Sequence, residues 1–334
     1  MSTYDSVAAR ARGLATHLLS PSEWSVLVDA SDMPTLASRL AQGREPLALH
    51  GPATASDVER AARRLAGGRL ALLARWCDQR PELLEVLFGD EDRRSLRALA
   101  RGALAAAPPD ARLAATLPTP ELPMRALETL AAQPTIAAMA ALLVAWRHPA
   151  AAALASAPRR GPADLLLVET ALTRDFAGRA LHAARRGDAV LRWHTQTVVD
   201  LENVLAALVL AEAPAEVQLS ALFVDGGTVP FAALDAVARA PGRLTALQQA
   251  QAAFRGTVFA EAFTQVEPSR LAQRLAALHR GSIHRRARTD PLSSAPVLDY
   301  ALRLREEVQR MRRLAWAVAL DAPLEERLGE GYAR

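Results

Sequence analysis

A helical phrase headed by an acid recurs three times at a spacing of about 108 residues, and this recurrence favours a fold assembled from kindred units. The copies span residues 92–100, 200–208 and 307–315 and open on Asp92, Asp200 and Glu307. Apolar residues follow four, seven and eight positions later: Leu96, Leu99 and Ala100, then Val204, Ala207 and Leu208, then Met311, Leu314 and Ala315. That spacing makes one face of an α-helix. The acids are expected in the first turn of each helix, where the macrodipole favours negative charge. A second phrase precedes each copy, a breaker-rich turn and a short apolar helix. It reads Leu19-Ser20-Pro21-Ser22 before Trp24 and Leu27, Leu117-Pro118-Thr119-Pro120 before Leu127 and Leu130, and Asp225-Gly226-Gly227 before Leu234 and Val237. Three units are expected, over residues 1–115, 116–222 and 223–334.

Composition points to an all-α fold. Of 334 residues, 51% are apolar, enough for real cores, but only 4% are aromatic, and isoleucine occurs only at Ile136 and Ile283. The vocabulary of strands is nearly missing. All 40 basic side chains are arginine, which reads more simply as the codon bias of a GC-rich genome than as selected chemistry. The net charge is only +4, so the pI near 10.1 follows from arginine never titrating and does not mark a nucleic-acid binder. A single cysteine, Cys77, excludes internal disulfides and thiol-rich metal sites within one chain. The first residues do not read as a signal peptide, and the expected location is cytoplasmic. The uncharged stretch 129–146 is interrupted by Gln133, Pro134 and Thr135 and is too short for the ~20 residues a bilayer needs; a buried helix is expected there.

Along the chain, a helix is expected over 4–19, with Ser22 or Ser31 as caps for short helices near Trp24 and Leu36. A loop over 43–52 leads into a helix from Asp57 to Trp76, with Gly67-Gly68 as its weak point. Further helices are expected over 124–130, 134–147 and 163–186, with a proline-rich break over 158–162 between the last two. Gly187-Asp188 ends the third of these. The final part reads as helices over 230–240, 244–263, 268–280 and 296–320, with the basic stretch Arg285-Arg286-Ala287-Arg288 leading into the Asp290-Pro291 loop.

Catalytic and cofactor motifs are hard to find. Neither G-x-x-x-x-G-K-[ST] nor G-x-G-x-x-G is present, so no loop is shaped to cradle phosphates. The seven histidines have no i, i+4 pair to start a zinc site. Asp90-Glu91-Asp92 is the one dense acidic group. All-α enzymes use such clusters to hold Mg²⁺ and diphosphate, but they need a second facing cluster, and Arg93-Arg94 adjoin this one; a charge pattern at a helix start is the better reading. No serine or cysteine lies in a nucleophile-elbow context. The chain reads as non-catalytic, with no cofactor and no metal. Arg285, Arg286 and Arg288 are the candidate partner-binding residues, suited to phosphate or an acidic partner.

The chain resembles the C subunits of the bacterial and archaeal A/V-type ATPases, relatives of the eukaryotic d subunit. Tyr4, Ala9-Arg10-Ala11-Arg12 and Leu18-Leu19 resemble that family's opening helix. Asp92, Leu96, Leu99, Arg101 and Gly102 fit its repeated acid, Asn, Leu, Arg-Gly phrase; Asp200-Leu201-Glu202-Asn203 fit the second copy. Pro296, Leu298, Tyr300, Glu307, Met311, Arg312 and Leu314 resemble its closing helix. The chain departs from the pattern where Ser95 and Arg310 replace Asn, Val209 replaces a basic residue and Ala317-Val318 replace Gly-Lys. The resemblance implies three helical units around a pseudo-threefold axis in a funnel-shaped body. It also implies a rotor subunit with no active site, coupling the central D–F shaft to the membrane proteolipid ring in rotary proton or sodium transport, peripheral to the membrane's cytoplasmic face. The other reading of these residues is a soluble α-helical scaffold that binds protein or nucleic acid through Arg-rich surfaces.

Overall fold

The computed structural model describes residues 4–43, 46–49, 51–156, 165–212, 222–264 and 267–323, and every regular element among them is helical. The break expected over 158–162 lies outside the described residues. Six long helices dominate, in three consecutive pairs: α4 (Ala55–Trp76) and α5 (Pro81–Leu104), α10 (Leu165–Ala184) and α11 (Ala189–Glu212), α14 (Pro268–Thr289) and α15 (Ala295–Ala319). Short joints of similar length connect the members of each pair, over 77–80, 185–188 and 290–294. The nine shorter helices are α1 (Asp5–Ala15), α2 (Pro21–Val28), α3 (Met33–Ala41), α6 (Pro109–Arg112), α7 (Met124–Ala131), α8 (Ile136–Ala145), α9 (Ala151–Ser156), α12 (Phe231–Ala238) and α13 (Arg243–Ala253).

The second helix of each pair lies against the first helix of another: α5 against α10, α11 against α14, and α15 back against α4. Apolar packing follows the same order. The C-terminal half of α5 buries Leu96 and Leu99 with Leu122 of the following turn and with Leu127, Met139 and Leu143 of the short helices after it. Val204 and Leu208 of α11 pack likewise with Leu234, Val237, Leu247 and Phe254. Met311, Leu314 and Val318 of α15 pack with Trp24, Leu27, Leu36 and Val58 near the start of the chain. A further cluster gathers the other halves of the long helices, with Tyr4, Leu73, Leu83, Val86, Phe176, Leu191, Ile283 and Leu298 all buried.

The two recurring phrases meet in space, which corrects one expectation. Asp92, Asp200 and Glu307 stand near the middle of α5, α11 and α15, not in first turns, so the macrodipole does not explain them. They are hydrogen-bond acceptors for the breaker-rich turns. Asp92 accepts from Thr119 Oγ1 at 2.5 Å. Asp200 accepts from the backbone N–H of Thr228 (2.8 Å) and Val229 (2.9 Å) and from Thr228 Oγ1 (2.6 Å). Glu307 accepts from the backbone N–H of Leu19 at 2.6 Å and from Arg69 at 3.0 Å. One turn further along, Asn203 exchanges two 2.8 Å bonds with the backbone of Val224, and Ser95 accepts from the Leu117 N–H at 3.1 Å. Ser95 also donates to the Leu117 carbonyl at 3.4 Å, so it exchanges the same two kinds of backbone bond as Asn203, while Arg310 lies over the Trp24 ring instead, 4.2 Å from its centroid. The helix segments expected to start at these acids are continuations of helices that began eleven or twelve residues earlier.

Glycines in two of these contacts allow close approach. A Cβ on Gly227 would fall 2.1 Å from Asp200 Oδ1, and one on Gly67 would fall 3.0 Å from the Pro118 side chain. Gly67 is therefore a point of helix-to-turn contact inside an unbroken α4, not a weak point. The caps also differ from expectation: Ser20 and Glu23 form a capping box on α2, Asp32 caps α3, and Thr54 caps α4 with Asp57 as its reciprocal partner. Expected helix 244–263 ends at Ala253, ahead of Gly256 with φ +82°. The segment expected as one buried helix over 129–146 is the end of α7 and all of α8, which buries Met139 and Leu143 while Val144 and Trp146 stay exposed. No helix among the described residues is long and apolar enough to cross a membrane.

Replacing Asp200 with Ala strands three donors at a partly buried turn and is expected to lower the unfolding free energy by about 3 kcal/mol. Gly227→Val is expected to destabilise in the same direction, because its side chain would occupy the carboxylate's place. Denaturant titration of both variants measures this; unchanged midpoints would show that the turn is not held by the acid.

Candidate functional site

The most chemically distinctive region is a hollow of about 370 Å³ between α5, α11, α14 and α15. Its lining includes Arg94, Arg97, Arg101, Arg280 and Arg305, against Glu202 and Glu306, with Leu205, Leu275 and Leu302 as apolar wall. A helix places residues four apart on one face, and Arg93, Arg97 and Arg101 of α5 use that spacing to reach α10 and α11. Glu169 of α10 and Glu202 of α11 project toward them.

Arg93 is fully buried and makes the central tie. It pairs with Asp90 at 2.6 Å and Glu202 at 2.9 Å, donates to Thr173 Oγ1 at 3.2 Å, and lies over the Phe176 ring at 5.3 Å. Arg97 bridges Glu202 at 2.5 Å and Glu169 at 2.7 Å, and Arg101 adds a second contact to Glu169 at 2.8 Å. Arg94 holds the other oxygen of Asp90 at 2.8 Å. Arg305 of α15 pairs with Glu91. One stretch of α5 is thereby tied to α10, α11 and α15 together.

Burial pushes the Asp90 carboxyl up, but the guanidiniums of Arg94 and Arg93 outweigh it and hold the group well below the usual carboxylate range. Burial also opposes ionisation of Glu202, yet Arg93, Arg97 and Arg94 bring it down to about 2. At Glu91 burial prevails over Arg305 and raises the group. Asp90-Glu91-Asp92 is thus a set of buried anchors, correcting its expected role as a helix-start charge pattern. Its three carboxyls face different partners: arginines of α5, Arg305 of α15, and Thr119 with His148, whose Nε2 lies 3.4 Å from Asp92. Among the described residues, no three His, Cys, Asp or Glu side chains gather as a metal site.

Sequence spacing missed a histidine pair. His194 of α11 and His279 of α14 are buried face to face, ring centroids 4.9 Å apart and Nδ1 to Nε2 3.1 Å, with His279 on the wall of the hollow. A nitrogen-to-nitrogen hydrogen bond needs one donor and one acceptor, so the neutral pair fits this geometry. Burial lowers His194 to about 4, with Asp90 raising and Arg94 lowering it; burial, His194 and Arg94 lower His279 further than Asp90 raises it. Neither i, i+4 spacing nor proximity in sequence could reveal residues on separate helices.

The sequence-predicted residues lie elsewhere. Arg285, Arg286 and Arg288 belong to the last turns of α14, which runs past the expected end at residue 280. Arg286 stacks on Trp193 at 3.8 Å, Arg285 donates to Ser282 Oγ at 3.1 Å, and Arg288 is exposed. They do not line the hollow.

These features define an all-helical body held by a buried charge network, with an arginine-lined hollow among four of its long helices. The chain belongs to the ATP synthase (C/AC39) subunit family, whose model matches residues 7–327. Among curated proteins none matches it as a relative.

Arg93→Met leaves Asp90 and Glu202 without their shared partner and is expected to lower stability by about 3–5 kcal/mol, read by chemical denaturation. The histidine pair sets a pH dependence. Unfolded histidine takes up a proton near pH 6.5, whereas His194 in the folded protein does so only near 4. The unfolded state therefore binds more protons within that window, and stability falls as pH drops through it, by up to about 1.4 kcal/mol per pH unit for each ring. His194→Leu with His279→Phe is expected to flatten that slope in denaturation midpoints compared between pH 4.5 and 7.

Proposed function

We propose that this chain is the non-catalytic rotor subunit of a V/A-type ATPase, the socket that couples the central D–F shaft to the membrane proteolipid ring in rotary proton or sodium transport. The observation that carries the reading is the family match over residues 7–327. Within the complex the chain sits at the cytoplasmic face of the membrane, held there through its partners. Three kindred helical units, 1–115, 116–222 and 223–334, surround a pseudo-threefold axis as a funnel. Each lends the C-terminal half of its long helix to the short helices of the next. The cyclic order of helix contacts supports this arrangement, since α15 returns to α4 as α5 meets α10 and α11 meets α14.

The hollow receives the foot of the shaft. Its five arginines are each already paired with Asp90, Glu91, Glu169, Glu202 or Glu306, so the wall is stiff and close to balanced in charge, and its leucines offer apolar contact to the tip. A socket under torque has to be stiff, and buried ion pairs joining four helices around it meet that demand, because close-packed interiors transmit strain. No step of ATP hydrolysis belongs to this chain.

Ala276 lines the hollow and is exposed, so Ala276→Trp is expected to fill the space without disturbing a core. The test is capture of co-expressed shaft subunits by the tagged full chain. Wild type is expected to retain them at stoichiometric yield and Ala276→Trp to lose most of that yield while its thermal melt stays unchanged. Failure of wild type to capture shaft subunits, with steep salt-dependent binding of nucleic acid in their place, would favour a scaffold.

A further inference from the structure

The charge of this protein is concentrated at one end. The three joints between long helices meet there: Tyr4 N–H donates to Leu292 O at 3.2 Å, Arg80 lies 5.0 Å over the Tyr4 ring, and Asp188 accepts from Ser294 N–H at 2.6 Å. The segments 4–12, 75–82, 185–192 and 285–292 make up this end. Together they hold ten arginines and five acids, a surplus of five that exceeds the +4 of the whole chain. The remainder of the molecule is therefore close to neutral, slightly negative.

Helix C-termini attract cations, which accounts for Arg75 on α4 and for Arg286 and Arg288 on α14. It does not account for Arg192, in the first turn of α11, where the macrodipole favours an anion. Nor do internal ion pairs explain the group, because Arg185, Arg186, Arg192, Arg285 and Arg288 have no carboxylate partner among the described residues, and all five are exposed. The arginines at the centre of the molecule, by contrast, are paired.

Apolar groups are set among these charges. Leu292, at the tip of the third joint, is 57% exposed. Half-buried Trp76 and Trp193 each carry an arginine over the ring, Arg10 at 5.7 Å and Arg286 at 3.8 Å. Tryptophan beside arginine, with a projecting leucine, suits the boundary between lipid headgroups and acyl chains, where a ring is half solvated and a cation meets phosphate. A nucleic-acid surface has no use for the leucine, and half-buried indoles flanked by guanidiniums beside a projecting leucine match an interface with phosphate on one side and acyl chain on the other.

We propose that this end is a docking face for an anionic lipid surface, with arginines on headgroup phosphates and Leu292 entering the acyl boundary. It adds a direct lipid contact to the rotor reading and does not require the shaft or the ring. Its test is therefore separate: the isolated full chain with sedimented vesicles of phosphatidylcholine alone or with 30% phosphatidylglycerol.

The expected result is binding to the phosphatidylglycerol vesicles that is lost at high salt, and none to phosphatidylcholine. Arg285→Gln with Arg288→Gln is expected to weaken partitioning roughly thirty-fold, from about 1 kcal/mol per arginine near an anionic surface. Both side chains lie outside the core, so the fold is retained, as an unchanged melt would verify. Leu292→Ser is expected to weaken it roughly tenfold. No binding to phosphatidylglycerol vesicles, or equal binding to both compositions, overturns the proposal. So does an acidic polypeptide that binds as tightly as the vesicles while Leu292→Ser has no effect, which would assign the face to a protein.

Discussion

Each long second helix carries an acid at mid-length, and on that acid rests the turn that leads into a group of short helices. This contact sets the rest of the architecture. A mid-helix carboxylate has no free backbone N–H of its own helix to accept, so its partners must come from elsewhere. Here they come from turn backbone and hydroxyls at Thr119, Thr228 and Leu19. Once the turn is seated, the apolar residues at four, seven and eight positions past the acid face the short helices it introduces, and each peripheral core follows.

The third contact differs from the other two in consequence. Glu307 is far along the chain from Leu19, and Arg69 of α4 joins the same carboxylate. Closing the two ends onto each other means that α15 is held by residues from the first quarter of the sequence. A linear array would leave such a helix without a partner on that side; here Trp316 Nε1 donates to Glu59 of α4 at 3.1 Å, and Met311, Leu314 and Val318 are buried against the first part of the chain.

The helical class, the repeat spacing and the two phrases were legible in sequence, because periodicity and breakers act locally. The position of the acids within their helices was not, although the signal was present: Leu83, Val86, Leu87 and Phe88 are apolar upstream of Asp92, so the helix was already under way. Macrodipole reasoning applies only where a helix begins, and a missed beginning turned buried anchors into apparent surface charges. Arg93, Arg97 and Arg101 were readable as one helical face, but their partners Glu169 and Glu202 lie on two other helices. The same distance hid His194 from His279. Ser95 and Arg310 looked like losses at the Asn position of the family's phrase, yet Ser95 keeps the backbone exchange with its turn through Leu117, and Arg310 stacks on Trp24 of the helix that its turn introduces.

Arginine does two different jobs in this molecule, and the difference lies in pairing. At the centre, guanidiniums share carboxylates in a buried lattice in which Arg93 serves Asp90 and Glu202 while Arg97 serves Glu202 and Glu169. Two partners per side chain fix its plane, and the low-dielectric surroundings make any rearrangement that separates charges unfavourable. At the joint end, arginines such as Arg185, Arg192 and Arg288 extend into solvent without such partners. Their interaction with one another is repulsive but screened over about 8–10 Å at physiological salt, so the fold tolerates them. A chain built only to be rigid would have no reason to gather unpaired cations around exposed Leu292, whereas a rigid body that must rest on something anionic would.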